Sequence, residues 1–180
     1  MDKMNMFHGI DVGEKSPEEI NVVIENAKGT SNKIEYDKDL AAFKLDRVLY
    51  SAVFWPFEYG FVPQTWHEDE DPVDVVVLST YPTFAGCVMS VRPVGLIVME
   101  DEKGLDDKVI VVPTDDPRFS QIKDFGDIPE HTRKEIQEFF QTYKNLEPKK
   151  WVKLKEWKNA EFAKEAIKKA VAVYKKKFGK

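Results

Sequence analysis

The residues best placed for chemistry stand together in His67-Glu68-Asp69-Glu70-Asp71-Pro72-Val73-Asp74, which runs straight into Val75-Val76-Val77-Leu78. Acids crowd the front, a proline fixes the turn, and a β-branched run takes the chain into what reads as a buried strand. Two carboxylates about 6 Å apart repel by roughly 3 kcal/mol at an effective dielectric of 20. Solvated acids escape most of that cost, but acids anchored at the start of a core strand cannot all splay apart. A divalent cation relieves the repulsion, and an all-carboxylate set favours a hard ion such as Mg²⁺, Mn²⁺ or Ca²⁺. The plain alternative is an acidic surface turn with no ligand. Pro72 weighs against it, because a merely solubilising loop has no use for a frozen backbone. A second acidic turn, from Glu100 to Lys108, also lies between two strand-like runs. An EF-hand is excluded, since the loop lacks its glycine and its glutamate at the required distances.

The elements that must position these acids follow from periodicity. Ile20–Glu25 is strand-like and ends on an acid, and a loop from Lys28 to Asn32 follows. Lys33-Ile34-Glu35-Tyr36-Asp37 alternates, so Lys33, Glu35 and Asp37 share one face, and a turn over Asp37–Leu40 leads into a partner strand, Ala42–Leu45. Ser16 to Glu19 could open a short helical turn, with Ser16 as cap. From Arg47 to Trp66 the chain is aromatic, but Pro56, Gly60 and Pro63 break any regular period, which predicts an irregular wall of core. Cys87–Met99 is a long strand-like run interrupted by Pro93 and Gly95, a pattern of an edge or a bulge. Lys108–Val112 is another strand, and Thr114 to Asp127 reads as loop. Ile136, Phe139, Phe140 and Tyr143 fall at helical spacing and predict a helix over Pro129–Leu146. Trp151–Trp157 returns to strand. Asn159 caps a last helix whose stripe is Ala163, Ala166, Ile167, Ala170, Val171, Tyr174 and Phe178. Many strands first and two helices late predict an α+β fold with a curved or closed antiparallel sheet.

At 180 residues, with 42% hydrophobic and 33% charged residues, the chain suits one globular domain over 1–180 with a sizeable core. Its net charge of −5 argues against broad nucleic-acid binding. No apolar run approaches a membrane span, and Met1-Asp2-Lys3-Met4 does not open a signal peptide. The single cysteine, Cys87, cannot pair within the chain and reads as a core thiol, so a cytoplasmic location is expected. His67 reads as a turn residue, because no second histidine stands at metal-binding spacing.

Strand ends now offer Glu25; Lys33 with Glu35; Asp69, Asp71 and Asp74; and Asp101, Asp106 and Lys108, while Arg47 and Tyr143-Lys144 add a basic element. Carboxylates that hold Mg²⁺, cations and tyrosines that orient an anion, and one carboxylate left as base for water are the ingredients of polyphosphate hydrolysis. A metal-dependent nucleotidyl or glycosyl transferase also uses paired aspartates, although no glycine-rich phosphate loop supports a nucleoside pocket. A barrel-type binding module holding Ca²⁺ or an anionic partner, without turnover, is the alternative from another class.

Asp69-Glu70-Asp71-Pro72-Val73-Asp74 resembles the Asp-x-Asp-Pro-x-Asp signature of the family I soluble inorganic pyrophosphatases. Lys33-Ile34-Glu35, Leu45-Asp46-Arg47, Tyr59-Gly60, Tyr81-Pro82, Arg92-Pro93-Val94-Gly95, Asp101 to Lys108 and Tyr143-Lys144 extend the likeness from Val22 to Lys153. The resemblance implies hydrolysis of pyrophosphate to two phosphates, with several Mg²⁺ ions per site, Mn²⁺ or Zn²⁺ as substitutes and Ca²⁺ as inhibitor. It implies metal ligands at Asp69, Asp74, Asp101 and Asp106, with Glu25 nearing a further metal, and Asp71 as general base. It implies phosphate contacts from Lys33, Arg47, Lys108, Tyr143 and Lys144, with Glu35 and Tyr59 lining the site. It also implies a small closed, OB-like β-barrel flanked by two main helices, and assembly as a homo-oligomer, in prokaryotic members typically a hexamer. Two positions depart from the pattern. Glu70 stands where Gly, Asn, Ser or Asp is usual, and Trp55 where a tyrosine is common.

Overall fold

The computed structural model describes residues 5–67 and 70–179. Nine strands and three helices follow in order: α1 (Met6–Gly9), β1 (Ile20–Asn26), β2 (Asn32–Asp37), β3 (Ala42–Val48), β4 (Glu58–Phe61), β5 (Asp74–Val77), β6 (Val88–Asp101), β7 (Gly104–Leu105), β8 (Lys108–Pro113), α2 (Glu130–Thr142), β9 (Val152–Lys158) and α3 (Ala160–Phe178). The expected α+β architecture holds. Five strands pair in a ring, β1-β4-β5-β8-β6 and back to β1. Closure is staggered along β1, whose Ile20–Val23 pairs with β6 while Val23–Asn26 pairs with β4. All ring pairings are antiparallel except β5 with β8. The β2–β3 hairpin is a separate two-stranded sheet.

The parallel pair explains the unbroken valine runs. Strands buried on both faces lose the polar alternation. Val75, Val77, Val109 and Val111 face one core, which α3 covers with Ala163, Ile167 and Ala170. Val76, Ile110 and Val112 face another, which α2 covers with Ile136, Phe139 and Phe140. Each large apolar side chain so buried contributes about 1.5–3 kcal/mol. The acids at the mouths of β5 and β8 are thus fixed to the most deeply packed strands.

Several expectations need correction. Ser16 to Glu19 forms turns, not a helix, and the first helix is α1, capped by the Asn5 side chain, which accepts from the amides of Phe7 and His8. The aromatic segment holds a true strand, β4, between β1 and β5. Far from being an edge, β6 is the hub of the sheet, pairing with β1, β7, β8 and β9, although the expected irregularity is there as a register shift between Pro93 and Gly95. Residues 114–127 include two short 3₁₀ turns, Pro117–Phe119 and Phe125–Asp127. Helix α2 stops at Thr142, four residues early, and the chain then folds through tight turns in which Asn145 donates to Thr142 and Glu147 to Lys144. Cys87 is half-buried and packs against the margin of the core that α3 covers. Within the described residues no helix is long and apolar enough to cross a membrane.

Candidate active site

Among the described residues, most of the buried charge gathers at one end of the ring. Asp101, Lys108, Lys144, Glu147 and Glu25 are all buried, against an expectation that such residues stay in water unless paired. Lys108, only 3% exposed, opens β8 and reaches between two acids. Its ammonium donates to Asp74 at 2.6 Å and also to Asp106. Burial alone would lower its pKa, but the two carboxylates outweigh that and hold it raised. Asp74 opens β5, and the parallel pairing of Val75 with Val109 sets it beside Lys108.

A second pair lies at the end of β6. Lys144 donates to Asp101 at 2.8 Å, both side chains being about nine-tenths buried. Burial pushes the Asp101 carboxyl up, and the bonds from Lys144 and the Lys103 amide pull it to a net lowering. Tyr143 stacks on Phe139, with ring centroids 5.2 Å apart, so the end of α2 fixes its ring. Its hydroxyl is raised above the ordinary tyrosine range, first by burial and then by Asp106, against Lys108 and Arg47. Tyr59, on β4, is raised by burial and by Asp74 and Asp106. Both phenols therefore stay protonated and can donate to an anion.

The hairpin supplies the remaining wall. Lys33 pairs with Glu35 and lies 3.6 Å from Asp46. Arg47 donates through Nε and one NH₂ group to Glu147, at 2.9 and 2.8 Å, and also pairs with Asp46. Glu25 accepts from the Tyr36 amide at 2.7 Å, and its carboxyl is pushed up to about 8 by burial, with Asp74 and Glu35 adding and Lys33 opposing. Charges from β1, the hairpin, β5, β6, β8 and the exit of α2 thus act on one another, with the neutral Tyr59 hydroxyl of β4 among them.

Asp71 is far more exposed than those buried pairs. Its side chain is 69% exposed, and Lys38 donates to it at 2.8 Å while also donating to the Glu70 carbonyl at 3.0 Å. The His67 amide donates to the Asp71 carbonyl, so His67 is the turn residue expected of it. Asp69 lies outside the described residues. Glu70 has φ +67°, a left-handed backbone that glycine and asparagine adopt most readily. That conformation accounts for the small residues usual at this place. Glu70→Asn is expected to stabilise the chain by about 0.5–1 kcal/mol, raising Tm by about 1–4 °C in a thermal melt. The contact it removes, 3.5 Å to Lys177 at the surface, contributes little.

Among the described residues, no three Asp, Glu, His or Cys side chains yet stand together at metal-ligand spacing. The acids are taken up by lysines instead, Asp74 and Asp106 by Lys108 and Asp101 by Lys144. The donor set nevertheless fits a hard divalent ion, because every available ligand atom is a carboxylate oxygen. Glu25, whose carboxyl is pushed up first by burial and then by Asp74, lies within electrostatic reach of that set. Asp46, Glu147 and Lys38 lie outside the residues expected at the site, yet each pairs with one of them. Only Asp46 carried a signal, its place beside Arg47. Trp55, at the tyrosine position, is core, its indole NH donating to the Asn32 carbonyl at 2.9 Å.

A family model described as inorganic pyrophosphatase matches residues 22–175. The inorganic pyrophosphatase of Thermus thermophilus is 53% identical over 174 residues, which cover 96% of this chain and 99% of that one. That of Haloferax volcanii is 49% identical over 175 residues, 97% of this chain and 99% of its own. A crystal structure of the Thermus thermophilus pyrophosphatase superposes with a TM-score of 0.93 at 52% identity, over 95% of this chain and 99% of the other. A type I inorganic pyrophosphatase from Toxoplasma gondii, 23% identical with a TM-score of 0.89, shares the fold.

Proposed function

This chain belongs to the inorganic pyrophosphatase family, and on that premise we propose that it hydrolyses inorganic pyrophosphate to two orthophosphates, as a single catalytic domain over residues 1–180. The observation that carries the reading is the buried Lys108 held between Asp74 and Asp106, with Lys144, Tyr143 and Arg47 beside it. Cations and acids alternate there as an anion with its counter-ions requires.

Asp69, Asp74, Asp101 and Asp106 would hold divalent ions, Mg²⁺ first, with Mn²⁺ or Zn²⁺ as substitutes and Ca²⁺ inhibitory, and Glu25 would near a further one. When bound, such ions neutralise phosphate oxygens and acidify water. The chain's own side chains do the rest. Lys33, Arg47, Lys108 and Lys144 neutralise and orient the two phosphoryl groups, and the protonated Tyr143 hydroxyl donates to a phosphate oxygen. Glu35 and Tyr59 line the site and keep its network in place. Water oxygen forms the new P–O bond, the bridging P–O bond breaks, and the second phosphate leaves with its electrons. The water proton passes to the Asp71 carboxylate. The reading extends to a cytoplasmic location, in keeping with a lone thiol, and to a homo-oligomer, the hexamer that the resemblance implies.

The substrate assignment is tested by phosphate release with Mg²⁺ from pyrophosphate and from a nucleoside diphosphate. Release is expected to be at least about 100-fold faster from pyrophosphate, because none of the groups described is placed for a base or ribose. Faster release from the nucleotide would overturn it.

A further inference from the structure

Glu147 stands in the turn after α2, and its carboxylate is 3% exposed with both oxygens taken. One oxygen accepts from two nitrogens of Arg47, at 2.9 and 2.8 Å, and the other from Lys150 at 2.8 Å. Arg47 comes from the far end of β3, one hundred residues away, on a hairpin whose two strands form a sheet of their own. Its remaining NH₂ group turns to Asp46, which also lies 3.6 Å from Lys33. Lys150, Glu147, Arg47, Asp46, Lys33 and Glu35 therefore form one alternating chain of charges, linking the α2 exit to the hairpin.

Burying a carboxylate against a guanidinium is a poor way to gain stability, since apolar residues of the same volume serve as well. It is a good way to fix a planar fork. A guanidinium bound along one edge cannot rotate, and its charge then faces a set direction. That direction matters here, because the Arg47 charge acts on the Tyr143 hydroxyl within the site.

We propose that Glu147 is the positioning residue for Arg47, holding its guanidinium where the substrate phosphate arrives and thereby setting substrate affinity. This rests on the pyrophosphatase reading. Arg47 touches the phosphate in ground and transition states alike, so loss of its anchor weakens binding more than turnover.

The test is steady-state phosphate release from pyrophosphate at saturating Mg²⁺. Glu147→Gln is expected to raise KM about tenfold and to change kcat less than about threefold. Placed on an Arg47→Ala background, the same substitution should move KM by less than about twofold, because the residue through which it acts is gone. Lys150→Met, which removes the other partner of Glu147, should leave KM within about twofold of the unmodified chain. Should Glu147→Gln fail to fold, Glu147→Asp withdraws the carboxylate by one methylene and carries the same cycle. An unchanged KM, or an equal rise with and without Arg47, overturns the proposal. An unmodified chain that releases no phosphate overturns the pyrophosphatase reading instead, so the two failures are told apart.

Discussion

Asp71→Asn is expected to cut phosphate release by about 10²- to 10⁴-fold, the range a positioned general base supplies. Asparagine keeps the shape of aspartate and some capacity to accept hydrogen bonds, but it cannot take the water proton. The fold should not notice. The Asp71 side chain is 69% exposed, and its pairing with Lys38 at 2.8 Å is of the surface kind, contributing at most about 1 kcal/mol. For a chain of this length that is a fall in Tm of no more than about 4 °C. Metal affinity should be largely kept, since the acids proposed to hold the ions are untouched. The checks are kcat, a thermal melt and Mg²⁺ titration on one preparation. Full turnover in the variant would remove Asp71 from the reaction.

Gly60→Ala is expected to destabilise the chain by about 3 kcal/mol or more, lowering Tm by at least about 6 °C, or to prevent folding. Gly60 lies in β4 opposite Ile24 of β1. A methyl group there would fall on the Val23 carbonyl oxygen, well inside contact distance, and 2.9 Å from the Ile24 Cα. Both obstacles are backbone, so no side chain can swing away. The strands would have to part, next to Glu25 on one and Tyr59 on the other, so activity should fall with stability. Gly126→Ala is the control. Its added carbon meets nothing within 4 Å, and its melt should match that of the unmodified chain.

Those two residues also mark what the sequence makes legible. The Asp-x-Asp-Pro-x-Asp run is a local signal, because crowded acids, a proline and a valine run state their chemistry without any distant partner. The stripe of α2 is equally local, and Ile136, Phe139 and Phe140 are buried as its spacing requires. Strand β4 escaped because Gly60 interrupts the apolar pattern, and the interruption is the very feature that lets β1 approach. The early end of α2 escaped for a similar reason. Tyr143 keeps the helical spacing and a helical backbone and is buried, but the chain turns directly beyond it, where Lys144 reaches Asp101. Least legible was Glu147. Its meaning lies wholly in Arg47, one hundred residues distant, and no pattern along the chain announces that pairing.

The most direct test of the central claim is the stoichiometry of pyrophosphate breakdown by metal-stripped protein restored with Mg²⁺. Two phosphates are expected for each pyrophosphate consumed, with release abolished by EDTA and by Ca²⁺. Folded protein that binds Mg²⁺, or is stabilised by Ca²⁺, yet releases no phosphate from pyrophosphate would contradict it and leave a cation-binding module in its place.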